Sequence, residues 1–255
     1  MSMREIERAA HLLAKARRGV ALTGAGVSTE SGLPDFRSPH GLWANVDPLA
    51  VASLTAFRRD PEQFYAFYRT RLAMLAGAKP NPAHRALAEA EATGMLVAVV
   101  TQNVDGLHQA AGSRRVIELH GNLREAACPD CGWVGPITIV TEALEEGRVP
   151  TCGRCGRRVK PNVVLFEELL PLDAYHEAEA ICAEADLLLV AGSTLAVTPA
   201  AWLPGVAARR GAPVVLVNDE PTPLDNLATV VLRGRAGHIL PALAEEAALR
   251  KESLR

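Results

Sequence analysis

Residues 19–26 read Gly-Val-Ala-Leu-Thr-Gly-Ala-Gly, an apolar run that breaks into a glycine loop. A run this short and continuous fits a strand buried on both faces of a parallel sheet. A glycine loop after a first strand is where a dinucleotide-binding domain holds a pyrophosphate. Gly24 and Gly26 permit the tight turn and let backbone N–H groups approach the phosphates. The fingerprint is incomplete, because Thr29 stands at the third glycine position, and at the ~20-residue distance where a ribose-binding acid is expected the chain is already in its first insertion. On these residues alone, a plain strand-to-helix turn is as good a reading.

Outward from this stretch, similar apolar runs occur at Leu96–Thr101, Val116–Leu119, Val163–Phe166, Leu187–Ala191, Val214–Val217 and Val230–Leu232. Helical patterns lie between many of them, at Ala83–Glu91, Leu172–Glu184, Ala200–Arg209 and Ile239–Arg250, and an amphipathic helix is expected over Met1–Ala14. The alternation predicts an α/β fold, a doubly wound, Rossmann-like parallel sheet. Two stretches interrupt it. Pro39–Pro80 holds helix-forming segments at Ala50–Phe57 and Pro61–Leu75. Cys128–Arg158 is rich in Cys, Gly and Pro, with a short helical piece near Thr141–Glu146. Both read as insertions that leave the sheet and return.

With 49% hydrophobic and 22% charged residues, the chain has the balance of a soluble globular enzyme. No apolar run approaches the ~20 residues that cross a bilayer, and the opening helix lacks the apolar core of a signal peptide. A cytoplasmic location without membrane partners is expected. The net charge of -2 gives the whole chain no bias toward nucleic acid.

Five cysteines in a chain of this kind argue against a disulfide framework. Four form two Cys-x-x-Cys pairs, Cys128/Cys131 and Cys152/Cys155, with 20 residues between the pairs. Each pair offers two thiolates from one turn, and two turns complete a tetrahedron. Four thiolates leave no open position, so one structural zinc is expected. Trp133, Arg154, Arg157 and Arg158 are expected to form a solvated rim around it.

Chemistry-bearing residues gather where predicted strands end. Gln102, Asn103 and Asp105 follow Leu96–Thr101, and His120 follows Val116–Leu119. An imidazole at such an end, with an unperturbed pKa near ~6.5, can take a proton at neutral pH. Asp35, Phe36 and Arg37 together offer a carboxylate, a flat aromatic and a guanidinium.

Gly24-Ala-Gly-Val-Ser-Thr-Glu-Ser-Gly-Leu-Pro-Asp-Phe-Arg37 closely resembles the signature of the sirtuins. Thr101-Gln-Asn-Val-Asp-Gly-Leu-His108, His120-Gly121, Lys160-Pro-Asn-Val-Val-Leu-Phe166, Gly192-Ser-Thr-Leu-Ala-Val-Thr-Pro199 and Val217-Asn218 resemble further motifs of that family, in order. The resemblance runs from about Gly19 to about Pro241. It implies an NAD-binding domain formed by residues 1–38, 81–122 and 160–255, a helical insertion at 39–80 and a zinc ribbon at 123–159.

The resemblance also implies the activity, NAD-consuming removal of acyl groups from protein lysine side chains. Asn103 and Asp105 engage the nicotinamide and ribose of NAD. The acyl oxygen attacks the sugar carbon as nicotinamide leaves, and His120 then deprotonates a ribose hydroxyl that attacks the acyl carbon. The products are lysine, nicotinamide and an O-acyl-ADP-ribose. His108 is expected to be structural. Around NAD the resemblance gathers Gly24, Ala25, Gly26, Ser28, Asp35, Phe36, Arg37, Trp43, Gln102, Gly192, Ser193, Thr194, Asn218, Asp219 and Ala236. Around the acylated peptide it gathers Val164, Phe166 and Glu167. The partners implied are acylated-lysine proteins, with no specific nucleic acid, and the chain is expected to act as a monomer.

Two details bear on the acyl group. Tyr68 and Arg71, three apart on one predicted helix face, match a Tyr-x-x-Arg pair of the succinyl- and malonyl-removing branch, and Ala52 matches a small residue that widens its acyl pocket. An arginine plus a phenol can hold the distal carboxylate that an acetyl group lacks. Aromatic residues at helical spacing are also ordinary core. Phe166-Glu167-Glu168 departs from the family's Phe-Gly-Glu, restricting the backbone and adding a charge near the peptide. Mono-ADP-ribosyl transfer would use the same NAD site, and a zinc-ribbon binding protein without catalysis is the reading from another class.

Overall fold

A computed structural model describes residues 3–39 and 41–253. Met1 and Ser2, which open the predicted first helix, lie outside them. α1 (Met3–Lys15) leads into β1 (Gly19–Thr23). The chain then leaves through α2 (Pro48–Val51), α3 (Leu54–Arg59) and α4 (Pro61–Gly77), returning by α5 (Pro82–Ala92) to β2 (Leu96–Thr101), α6 (Leu107–Ala110) and β3 (Val116–Glu118). A second excursion holds β4 (Gly121–Ala127), β5 (Val134–Pro136), α7 (Thr138–Glu145) and β6 (Lys160–Val163). α8 (Leu172–Ala183), β7 (Leu187–Ala191), α9 (Leu203–Arg209), β8 (Val214–Asn218), β9 (Val230–Arg233) and α10 (Ala236–Ser253) complete the chain.

Six strands form one parallel sheet in the order β3-β2-β1-β7-β8-β9. β1 is buried at every position, as its continuous apolar sequence requires. Its residues alternate between two cores. Ala21 packs with Leu13, Leu87 and Leu243 from α1, α5 and α10. Val20 and Leu22 pack with Ile181 and Leu203 from α8 and α9 on the opposite face. The order of strands reverses between β1 and β7, so a crevice opens at their carboxyl ends.

The run Val163–Phe166, expected among the parallel strands, is not one of them. The strand is Lys160–Val163, and it pairs antiparallel with β4 in a small sheet of order β5-β4-β6. Val164 and Phe166 instead bond to the backbone outside that sheet, to the carbonyls of His120 and Ala52. The predicted helix Ala50–Phe57 is broken in two, because Ser53 caps a new helix by accepting from the Ala56 N–H.

The two excursions share one core. Phe57, Phe64, Tyr65 and Tyr68 from α3 and α4 pack with Leu123, Cys128, Val140, Cys152 and Val163. Complete burial of Phe64 alone contributes on the order of 2–3 kcal/mol. Among the described residues, no helix is long and apolar enough to cross a membrane.

Candidate active site and metal centre

The glycine loop closes directly onto the end of β7. Gly24 N–H donates to Ala191 O at 3.1 Å and Gly26 N–H to Gly192 O at 2.8 Å. A Cβ on Gly24 would stand 2.8 Å from Gly192 O, and one on Gly26 2.8 Å from Gly192 Cα. Both glycines are therefore required by backbone contact across the crevice as well as by any phosphate. Ala25 lines the cleft beside them. Ser193 is buried and accepts from Gln102 Nε2 at 2.9 Å, joining the ends of β2 and β7, while neighbouring Thr194 is exposed.

Ser28, Asn103 and Asp105 meet in one hydrogen-bonded group. Asn103 Nδ2 donates to Ser28 Oγ at 3.1 Å and to Gly24 O at 3.1 Å. Ser28 donates to Asp105 Oδ2 at 2.7 Å, and Leu107 N–H occupies Asp105 Oδ1 at 2.9 Å. Behind them lies His84. Its Nδ1 accepts from Asn81 N–H at 3.3 Å, which leaves its Nε2–H facing Ser28 Oγ at 3.4 Å. Burial pulls His84 down to about 4, against the opposing pull of Asp105. The His108 ring stands 4.9 Å from that of His84, with Nε2 2.9 Å from Thr23 Oγ1; burial and the neighbouring His84 bring it to about 3. Both imidazoles are neutral at pH 7.

His120 stands just after β3. Its Nδ1–H donates to the carbonyl of Gln102 at 2.9 Å. A carbonyl can only accept, so Nδ1 carries the proton and Nε2 keeps a free lone pair. Burial lowers the pKa of the ring, and the bond to Gln102 partly opposes this. The His120 carbonyl accepts from Val164 N–H at 2.9 Å, which places residues 164–168 along the same wall.

An aromatic cluster adjoins the cleft at Phe36. Trp43 lies 5.5 Å from Phe36, 5.7 Å from Phe67 in a stacked pose, and 6.2 Å edge-on from Phe166. Asp35 Oδ1 holds Ser38 N–H at 3.0 Å, and Trp43 N–H donates to Phe36 O at 3.0 Å, folding this segment back on itself. Arg37 is exposed. The Arg71 guanidinium lies over the Phe36 ring at 5.2 Å and has no hydrogen-bond or ion-pair partner among the described residues. Tyr68, its helix neighbour, is buried, and burial keeps the phenol protonated. Ser28, Phe36, Arg71, Asn103, Val104 and Asp105 border one cleft.

Asn218 and Asp219 stand at the end of β8 and Ala236 at the start of α10; Asn218 Nδ2 donates to Glu220 O at 2.7 Å. Ala52 is buried, and its carbonyl receives Phe166 N–H at 3.0 Å.

The four paired cysteines converge, with all Sγ atoms within 4.8 Å of one another. Cys128 Sγ is 3.5 Å from Cys155 Sγ, and Cys131 Sγ is 3.7 Å from Cys152 Sγ. A disulfide would require ~2.05 Å. A tetrahedron with metal–sulfur bonds of ~2.3 Å has edges of roughly 3.8 Å, so the spacing fits a four-thiolate zinc site.

A family profile described as the Sir2 family matches residues 24–199. The chain belongs to the Sir2 family. An Archaeoglobus fulgidus protein named NAD-dependent protein deacylase 2 is 46% identical over 243 residues, covering 95% of this chain and 96% of its own. A Sir2 structure solved to address the mechanism and regulation of Sir2 enzymes superposes with a TM-score of 0.91 at 45% identity, each chain covered completely. A Sir2 protein with a p53 peptide and NAD+ superposes with a TM-score of 0.87 at 41% identity, covering 98% of this chain and 100% of that one.

In this Sir2-family chain, sequence reasoning missed His84, Thr23 and Thr101, which lie behind the Ser28–Asn103–Asp105 group. The available signal was Asn81-Pro-Ala-His84, a helix cap in which Asn81 and His84 bond reciprocally. The expected solvated rim needs correction at two residues. Arg158 donates to Phe57 O at 3.0 Å and Arg58 O at 3.3 Å, closing the end of α3, and Trp133 packs on the shared core.

Proposed function

We propose that this Sir2-family chain is an NAD-dependent protein-lysine deacylase, using NAD as a co-substrate and a four-cysteine zinc site as a structural element. The observation that carries the reading is His120. It is neutral, its tautomer is set by the carbonyl of Gln102, the residue before Asn103, and its Nε2 keeps its lone pair. A half-buried base prepared in this way suits deprotonation of a sugar hydroxyl. NAD, when bound, supplies the electrophilic sugar carbon that captures the acyl oxygen.

The remaining roles belong to the chain. The loop of Gly24, Ala25 and Gly26, with Gly192, Ser193 and Thr194, offers backbone and hydroxyl groups to the pyrophosphate. Asn218, Asp219 and Ala236 border the far end of the nucleotide. Ser28, Asn103 and Asp105 hold the nicotinamide and ribose end, Phe36 and Trp43 cover it, and Asp35 and Arg37 offer a carboxylate to the amide and a guanidinium to a phosphate. Ala52, Val164 and Phe166 flank the acylated lysine. The fit of Cys128, Cys131, Cys152 and Cys155 to zinc leaves no open ligand position, so the metal would hold the shared core and stay outside the reaction.

A finer reading concerns the acyl group. Arg71 directs an unpaired guanidinium into the cleft beside Tyr68, and a distal carboxylate would satisfy it. Succinyl- or malonyl-lysine is therefore the favoured substrate over acetyl-lysine. The activity is tested by incubating the protein with NAD and acyl-lysine peptides and following mass changes. Deacylated peptide, nicotinamide and O-acyl-ADP-ribose in equal amounts are expected. ADP-ribosylated protein without deacylation would instead favour the transferase reading.

A further inference from the structure

Glu167 has a backbone conformation that glycine adopts readily and L-residues rarely do, with φ 75. Such a conformation persists only where surrounding contacts enforce it. Here the contacts are specific. The Glu167 carboxylate accepts from Thr55 N–H at 2.8 Å, in the first turn of α3. On the same helix end, Ser53 pairs with Phe166, and Leu54 N–H donates to Phe166 O at 3.1 Å. The other end of α3 is held by Arg158 through the carbonyls of Phe57 and Arg58. Thr55 is therefore a fixed anchor.

The turn is braced from behind as well. Lys160 is buried, pairs with Glu168 at 3.1 Å and donates to Val163 O at 2.6 Å, and Glu168 accepts from Leu165 N–H at 2.8 Å. The braced segment is the wall that starts at Val164, bonded to His120, and carries Phe166 against Trp43. Of the two adjacent glutamates, Glu168 ties the wall to β6 and Glu167 ties it to α3.

We infer that Glu167 is a positioning residue: by capping α3 its carboxylate holds residues 164–168 in the left-handed turn and so sets affinity for the acylated peptide. The inference rests on the deacylase reading for the identity of the ligand, and it separates peptide binding from NAD binding. The carboxylate is engaged with the helix end, so its effect is on the shape of the wall and not through direct charge on the peptide.

The test compares Glu167→Ala, Glu167→Gly and Glu167→Gln with the wild type. Amide hydrogen exchange at Thr55 is measured without substrate, and KM for acylated peptide, KM for NAD and kcat are measured in turnover. Glu167→Ala loses the cap and keeps the cost of the left-handed turn. It should exchange Thr55 about ten-fold faster and raise peptide KM about five-fold, with KM for NAD and kcat unchanged. Glu167→Gln keeps an acceptor oxygen and should stay within about two-fold of wild type. Glu167→Gly removes the cap and the backbone cost together, so it folds even if the alanine variant does not, and its Thr55 exchange should still be fast. Wild-type Thr55 exchange or wild-type peptide KM in both the alanine and glycine variants overturns the inference. So does a parallel change in KM for NAD. A wild-type protein that turns over no acylated peptide sinks the deacylase reading and the assignment to peptide affinity, while Thr55 exchange still reports whether the cap exists.

Discussion

The Nδ1–H of His120 and the carbonyl of Gln102, 2.9 Å apart, join the ends of β3 and β2 and determine which imidazole nitrogen is basic. Because burial lowers the pKa of His120 from its usual ~6.5, the ring is already neutral at pH 7. Raising the pH further gains nothing, and acid removes the base. We expect kcat/KM for an acylated peptide to be flat from about pH 7 to 8 and to fall below about 6.5. His120→Ala should lose ~10²-fold or more in deacylation while still binding NAD. A rate that keeps climbing through pH 8 would identify a different base.

On the proposed reading, Arg71 carries the acyl preference. With matched acetyl- and succinyl-lysine peptides, Arg71→Met should cut succinyl turnover about ten-fold or more through KM and leave deacetylation within about two-fold. Equal processing of both peptides by both proteins would reduce Arg71 and Tyr68 to packing of α4.

The cysteine cluster should contain one zinc per chain, measured by elemental analysis of the purified protein. Cys128 and Cys152 belong to the same core as Phe57, Phe64 and Tyr65, so losing the metal should loosen α3 and α4 as well as the small sheet. Cys128→Ser should be metal-poor, with Tm lower by about 10 °C or more. Four freely titrating thiols in a metal-free wild type with unchanged Tm would refute the site.

The buried pair His84 and His108 makes the fold sensitive to acid. Their folded values, about 4 and about 3, lie below the ~6.5 of an unfolded histidine, so as pH falls the unfolded chain takes up protons first. Their contribution is fully present above about pH 6.5 and is lost as pH drops toward 4 and then 3, a change on the order of a few kcal/mol. Urea midpoints at pH 7.5 and pH 5 should differ clearly in the wild type. In His108→Gln the difference should shrink, and an identical difference would assign the acid sensitivity to other groups.

The parallel sheet was legible because β1, β2, β7, β8 and β9 are short apolar runs ended by glycine, asparagine or a helix. The small sheet was not. β4 reads Gly-Asn-Leu-Arg-Glu-Ala-Ala and β6 reads Lys-Pro-Asn-Val, sequences with little strand preference. Lys160 and Pro161 are nevertheless buried there, because Glu168 and the Val163 carbonyl satisfy the lysine. At the candidate site, Asn103, Asp105 and His120 were expected just past strand ends, and they lie just past the ends of β2 and β3. His84 was not, since a helix cap 36 residues before His120 carries no local sign that it will lie behind Ser28. The role of Arg158 was hidden for a similar reason: its partners are carbonyls about 100 residues away.

The strand order has a consequence for synthesis on the ribosome. β1 is made early but lies between β2 and β7, and Gly24 and Gly26 rest on Ala191 and Gly192. A nascent chain that has emerged only as far as Val163 already holds all four paired cysteines and every strand of the small sheet. It has no partner for the glycine loop. The thiolates can therefore gather while the nucleotide crevice does not yet exist, and that crevice matures only when β7 has emerged beside β1.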